Sequence, residues 1–161
     1  MMKTKPESIL IRPADTAGDL AAARQLFLAY HEFLGEDLCF QSFEAELASL
    51  PGQYAAPAGA LLLAWQGPRA VGCVAMRPKL PGTAEMKRLY VLPEAQGTGL
   101  GRQLADAILA AARQAGYQHM VLDTLERLRP ALGLYRSMGF ENCAAYYDNP
   151  LPGVVYLQLA L

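Results

Sequence analysis

Residues 83–116 read TAEMKRLYVLPEAQGTGLGRQLADAILAAARQAG, and three patterns follow one another within them. Ala84 to Val91 is rich in strand formers. Gln96-Gly97-Thr98-Gly99-Leu100-Gly101 is a glycine-rich turn. From there Leu100, Leu104, Ile108, Ala111 and Ala115 recur at helical spacing until Gly116, a residue suited to leaving a helix. Alternate glycines let a backbone take positive φ and approach a ligand closely. The helix behind the turn opens with unpaired N–H groups and the positive end of its dipole, and Arg102 adds a full charge, so the turn suits a phosphate. A glycine-rich corner can equally be no more than a sharp turn. The strand that follows, His119 to Thr124, completes a βαβ unit, whose ligand sites lie at the C-terminal ends of its strands.

The strand ahead of the turn carries three ionisable residues, Glu85, Lys87 and Arg88. Alternation puts Glu85, Lys87, Leu89 and Val91 on one side and Met86, Arg88 and Tyr90 on the other, provided no bulge intervenes. Either one face is wet or the strand lines a site.

On the N-terminal side, Ser8 to Arg12 predicts a short strand, and Asp15 or Thr16 can cap a helix carrying Leu20, Ala23, Phe27 and Tyr30, ended by Gly35. A loop leads to a second helix starting near Ser42 and stopped by Pro51 and Gly52. Glu32, Glu36, Asp37, Glu44 and Glu46 cluster near Phe33 and Phe40, as a solvated helix face or as a wall that attracts a cationic amine. Ala60 to Trp65 and Ala70 to Arg77 predict a hairpin turning at Gln66-Gly67-Pro68, followed by a loop at Pro78 to Gly82. On the C-terminal side, Pro130 opens a helix from Ala131 to Met138 closed by Gly139. Phe140 to Tyr147 and Val154 to Leu161 predict two further strands.

The 161 residues suit one α/β domain over 1–161, with 1–7 flexible. A net charge of −1 gives no electrostatic reason to expect nucleic acid, and no apolar run is long enough to span a membrane. The three cysteines, Cys39, Cys73 and Cys143, are widely spaced and form no CxxC pair, which points away from a disulfide framework or a metal site and towards a cytoplasmic setting. Cys73 and Cys143 sit among apolar residues, as core residues rather than nucleophiles. His119 and His31 read as surface or packing residues.

The turn Gln96-Gly97-Thr98-Gly99-Leu100-Gly101 after a strand, the strand after its helix, and the segment Leu134-Tyr135 with Gly139-Phe140 come in the order that resembles the GNAT superfamily of N-acetyltransferases. Gln96, Gly99 and Gly101 match that family's signature turn. The resemblance runs from about Ser8 to the C-terminus and is strongest from Ala84 to Phe140. It implies a GNAT fold, a central mixed and partly splayed α/β sheet of about seven strands flanked by about four helices. It also implies acetyl-CoA as cofactor, with coenzyme A as product.

Carried over by position, the resemblance implies that main-chain amides from Gly97 through Thr98, Gly99, Leu100 and Gly101 to Arg102 bind the pyrophosphate. Leu89, Tyr90, Val91 and Thr124 would line the coenzyme. The Val91 amide would polarise the thioester carbonyl and Tyr135 would donate a proton to the departing thiolate. A protonated amine must lose a proton before it attacks, and Glu85 stands where histone-type relatives keep their glutamate base; the alternatives are a glutamate paired with Lys87 or Arg88, or a water chain. Tyr30, His31, Phe33, Arg88, Tyr146 and Asn149, with Glu36, Asp37 and Tyr147, are the candidate acceptor-site residues. Their acidic and aromatic groups suggest a small-molecule or peptide amine with a cationic or amphipathic body. A homodimer through the last strands is compatible with the resemblance.

Two other readings stay open. A dinucleotide-binding oxidoreductase would use the Gly-x-Gly and Asp123, but its fingerprint needs a third glycine where Arg102 stands. A non-catalytic acyl-CoA sensor could use the same fold, although the presence of both Glu85 and Tyr135 favours turnover.

Overall fold

In the computed structural model, described here for residues 8–38 and 41–161, the first helix owes its start to a reciprocal cap. Thr16 Oγ1 accepts from the Asp19 amide at 3.1 Å, and Asp19 Oδ2 accepts from the Thr16 amide at 3.2 Å. Arg12, in strand β1 (Ile9–Pro13), clamps the same carboxylate at 2.8 Å and so ties helix α1 (Ala17–Leu34) to the sheet. Gly35, at φ +69°, ends α1 as expected. The chain continues through α2 (Phe43–Ser49), β2 (Ala60–Gln66), β3 (Arg69–Leu80) and β4 (Thr83–Val91) to α3 (Leu100–Gln114). It finishes with β5 (His119–Leu125), α4 (Arg129–Ser137), β6 (Glu141–Asn142) and β7 (Val154–Ala160). Residues 1–7, expected to be flexible, and Cys39 and Phe40 lie outside the described residues.

The strands form one seven-stranded sheet in the order β1-β2-β3-β4-β5-β7-β6. Among the described residues only β4 and β5 are parallel neighbours; the other pairs are antiparallel. Each face of the sheet buries its own core. On one side Leu104, Ile108 and Leu109 of α3 meet Val74, Met76 and Met86. On the other, Leu26 and Phe27 of α1 meet Leu63, Cys73 and Ala75. Burial along α3 runs through Ala105 and Ala112, so Ala115, expected on the apolar stripe, is exposed.

Two features of the sheet make the site. First, β4 and β5 pair only at Thr83↔His119, Ala84↔Met120 and Glu85↔Val121, and beyond that they part. Second, β4 carries a bulge. Lys87 lies opposite Ala75 and Tyr90 opposite Cys73, so Arg88 and Leu89 share one partner position, and Arg88 takes φ +61°. The thiol of Cys73 donates to the Arg88 carbonyl at 3.1 Å, and burial pushes that thiol up to about 12, so Cys73 is a packing residue. The bulge overturns the alternation expected of an unbroken strand. Glu85 and Lys87 face α1, whereas Val91 packs in the core on the α3 side, so Glu85 and Val91 do not share a side.

Two other elements differ from the sequence-based expectation. β3 runs on through Pro78 to Leu80, because the register shifts between Pro78 and Leu80 and a proline at such an irregularity owes no ladder hydrogen bond. The strand predicted over Phe140 to Tyr147 shrinks to Glu141–Asn142. An extended strand would send Tyr146 and Tyr147 to opposite faces; here both turn inward, with ring centroids 5.4 Å apart and their hydroxyls bound to the buried Glu85 and the half-buried Asp123.

Candidate active site

Where β4 and β5 part, a cavity of about 400 Å³ opens, a size that suits a small-molecule ligand. Three regions line it: the glycine turn with the start of α3, the two diverging strands with α4, and a polar end under α1.

The first region is a ring of open donors. Gly97 and Gly99 take φ +77° and +81°, and an added Cβ at either would meet nothing within 4 Å. Gly99 is the N-cap of α3, and no side chain caps that start, so the amides of Leu100, Gly101 and Arg102 point outward without an intrahelical partner. Three side chains around the turn hold it in place. Gln96 Nε2 donates to the Val91 carbonyl at 2.9 Å, Thr98 Oγ1 donates to the Ala95 carbonyl at 2.7 Å, and Arg102 donates to Ser137 Oγ at 3.2 Å.

In the second region, Leu89, Tyr90 and Val91 face Leu122 and Thr124 across the splay. Tyr135 of α4 stands beside them, 7% exposed, its ring edge-on to Phe140 at 5.7 Å. Its hydroxyl makes no hydrogen bond among the described residues. Burial holds the phenol above its ordinary range, so it keeps its proton at neutral pH.

The polar end carries the groups that sequence reasoning placed least well. Glu85 is fully buried, does not line the cavity, and has both oxygens engaged: Oε1 accepts from Arg77 Nε at 2.8 Å and Oε2 from the Tyr146 hydroxyl at 2.6 Å. Its partner is thus Arg77, not Lys87 or Arg88. Tyr146 is drawn towards Glu85 and does not line the cavity. Arg88 lines it but is committed to Glu46, by bonds of 2.9 and 3.1 Å, and to Gln41 Oε1 at 2.9 Å. Glu46 therefore leaves the expected acidic surface cluster for the interior. Tyr30, Phe33 and Asn149 line the cavity, whereas His31 stacks on Phe43 at 4.9 Å and does not. Three polar lining residues were not assigned to the acetyl-transfer site from sequence: Gln41, Lys87 and Asp123. The signal for Asp123 was a lone carboxylate inside the apolar run MVLDTL, and for Lys87 a charge on a strand now known to be buried. Gln41 offered none.

Lys87 is 5% exposed, and its pKa is pushed down to about 8 by burial first, with Arg88 and Arg77 pushing the same way and Glu85 and Asp123 opposing. Below pH 8 both folded and unfolded chains carry the proton and the burial cost is complete. Between about 8 and 10.5 the folded chain releases it first, so this group makes stability rise with pH across that window. Lys87→Met should therefore stabilise the chain by on the order of 3 kcal/mol at pH 7, with the advantage shrinking towards pH 10. Urea unfolding of both proteins at the two pH values checks this; a constant difference would mean that Lys87 is not desolvated.

Among the described residues no group of His, Cys, Asp and Glu could hold a metal ion, and no helix is long and apolar enough to cross a membrane.

Comparison with known proteins gives a consistent result. The sequence model of the acetyltransferase (GNAT) family matches residues 20–140. An uncharacterized N-acetyltransferase of Schizosaccharomyces pombe is 43% identical over 159 residues, covering 98% of each chain. Among solved structures, an acetyltransferase from Streptococcus agalactiae superposes with a TM-score of 0.80 at 20% identity, over 95% of this chain and 98% of that one. The PaiA N-acetyltransferase from Thermoplasma acidophilum, solved in complex with coenzyme A, superposes at 0.73 with 16% identity, over 96% and 99%. At these identities the two structures speak for the fold.

Proposed function

Because this chain belongs to the acetyltransferase (GNAT) family, we propose that it transfers an acetyl group from acetyl-CoA to the nitrogen of a small-molecule or peptide amine, with both bound together. One observation carries the reading: a single cavity runs from the uncapped amides at the start of α3, past the hydroxyl of Tyr135, to a polar end. The residues fit the group. Open amides under two positive-φ glycines suit a pyrophosphate, and the edges of β4 and β5, unpaired beyond Glu85 and Val121, offer main-chain partners to the amides of a pantetheine arm.

Acetyl-CoA supplies an activated acyl group on a thiol leaving group. The chain's own part is to hold and polarise it. The amides from Gly97 to Arg102 bind the pyrophosphate, with Thr98 and Gln96 fixing the loop. Leu89, Tyr90 and Thr124 confine the arm, and the Val91 amide donates to the carbonyl oxygen as negative charge grows there. The Tyr135 hydroxyl donates to the sulfur. Being a weaker acid than a thiol, it would serve through a hydrogen bond to the departing sulfur and would pass its proton on only as it takes one from the acylated nitrogen. Glu85, bound at both oxygens, braces Arg77 and Tyr146 and acts as a positioning residue rather than as the base.

Calorimetric titration should give micromolar binding of acetyl-CoA, on the order of −7 to −8 kcal/mol, and none of a nicotinamide dinucleotide. The reverse pattern would restore the dinucleotide reading.

A further inference from the structure

The polar end of the cavity holds charges in an arrangement that describes the acceptor. Two buried cations, Lys87 and Arg88, and the half-buried Arg77 face it or lie behind it, and two of the three are neutralised: Arg88 by Glu46 and Arg77 by Glu85. Lys87 is not. It donates to Gln41 Oε1 at 3.2 Å and makes no ion pair among the described residues. A lysine this deeply buried ordinarily has a counter-charge, and this one stands on a cavity wall.

Asp123, also on the cavity wall, is the complementary case. The Tyr147 hydroxyl and Asn149 Nδ2, the latter at 2.7 Å, both donate to its Oδ2, whereas Oδ1 accepts no hydrogen bond among the described residues. Two neutral donors on one oxygen fix the carboxylate and leave the other oxygen to a ligand.

Gln41 stands in the hydrogen-bond chain that joins these two groups. Its Oε1 accepts from Lys87 and Arg88 while its Nε2 donates at 2.9 Å to Tyr147 Oη, which in turn donates to Asp123. The side-chain amide is thereby held in one orientation, as a neutral link between the lysine and the tyrosine that holds the carboxylate.

We infer that the acceptor is an amine that also bears a carboxylate, an amino acid or a close analogue, with its ammonium on Asp123 Oδ1 and its carboxylate on Lys87. The inference rests on the acetyltransferase reading. Phe33, 54% exposed at the cavity mouth and 5.6 Å from the Tyr90 ring, leaves an apolar rim for the side chain of such an acceptor. Lys87 still carries its charge at pH 7, since burial lowers it only to about 8.

The protons balance. Asp123 Oδ1 takes one proton from the ammonium, which frees the nitrogen lone pair. The nitrogen forms the C–N bond to the acetyl carbon, the C–S bond breaks, and its electron pair leaves on sulfur. Tyr135 gives its proton to that sulfur and regains one from the acylated nitrogen. Asp123 releases its proton to solvent, so one proton is produced per acetyl group transferred.

The test is acetyl-CoA-dependent thiol release with matched acceptor pairs: phenylalanine against phenethylamine, leucine against isopentylamine, and each amino acid against its amide. Wild type should prefer the carboxylate-bearing member by about tenfold or more in kcat/KM, the value of a charge-assisted contact. That preference should fade above pH 8 and collapse in Lys87→Met. Asp123→Asn should instead lower kcat/KM for both members of a pair and leave their ratio standing. Equal or better use of the carboxylate-free amines by wild type, a comparison that needs no variant, would overturn the inference while leaving the acetyltransferase reading intact. So would a preference that Lys87→Met does not move, in a variant that still binds acetyl-CoA by calorimetry. Thiol release from no acceptor at all would remove the acetyltransferase reading itself, and this inference with it.

Discussion

Tyr135→Phe should lower kcat for acetyl transfer by roughly 10²-fold or more and change acetyl-CoA affinity by no more than about twofold. The substitution removes one oxygen and little else. The ring stays edge-on to Phe140 in the core, and because the hydroxyl makes no hydrogen bond among the described residues, no partner is orphaned. Folding stability should therefore hold. What disappears is a donor beside the leaving sulfur, an interaction made only as negative charge develops there, so the loss falls on kcat rather than on ground-state binding. Thiol release at saturating substrates, paired with calorimetry, separates the two quantities. An unchanged kcat would take Tyr135 out of the chemistry.

Gly99→Asp should separate folding from function in the other direction. Gly99 sits at φ +81° with open space around it, and aspartate is among the few residues that tolerate the left-handed region. At the N-cap of α3 its carboxylate would complement the helix dipole beside the first-turn amides, which offsets part of the strain that a Cβ carries at this φ, so the melting temperature should fall by no more than about 4 °C. The same carboxylate occupies the donors meant for the pyrophosphate and repels its charge. Acetyl-CoA affinity should fall by roughly 10²-fold or more, from lost charge-assisted hydrogen bonds and like-charge repulsion together. Retained micromolar affinity would mean that the turn is not the anchor.

These two predictions draw on what local sequence specifies well. The glycine turn, the helix from Leu100 and the placing of Tyr135 two elements later all depend on short-range rules of spacing and backbone freedom, and the structure joins them at one cavity. The polar end was different. Alternation along β4 gave Glu85 and Val91 the same side, and a bulge at Arg88, forced by pairing with β3, reversed that. No local residue signals the bulge, since Arg is an unusual choice for positive φ. Tyr146 and Tyr147 looked like strand residues until their hydroxyls found Glu85 and Asp123, contacts across 61 and 24 positions of chain. Gln41 joins Lys87, Arg88 and Tyr147 across 46 to 106 positions. Such a network is decided by tertiary packing, so Glu85 sits off the cavity wall while the glycine turn and Tyr135, fixed by local rules, line it.

The central claim is that the splay between β4 and β5 holds the thioester, with the pyrophosphate on the turn and the sulfur at Tyr135. A crystal structure with acetyl-CoA bound tests it directly. The claim requires phosphate oxygens at hydrogen-bond distance, about 3 Å, from amides between Gly97 and Arg102, and the sulfur within about 4 Å of the Tyr135 hydroxyl. Coenzyme bound outside the splay, or a sulfur out of reach of Tyr135, would contradict it.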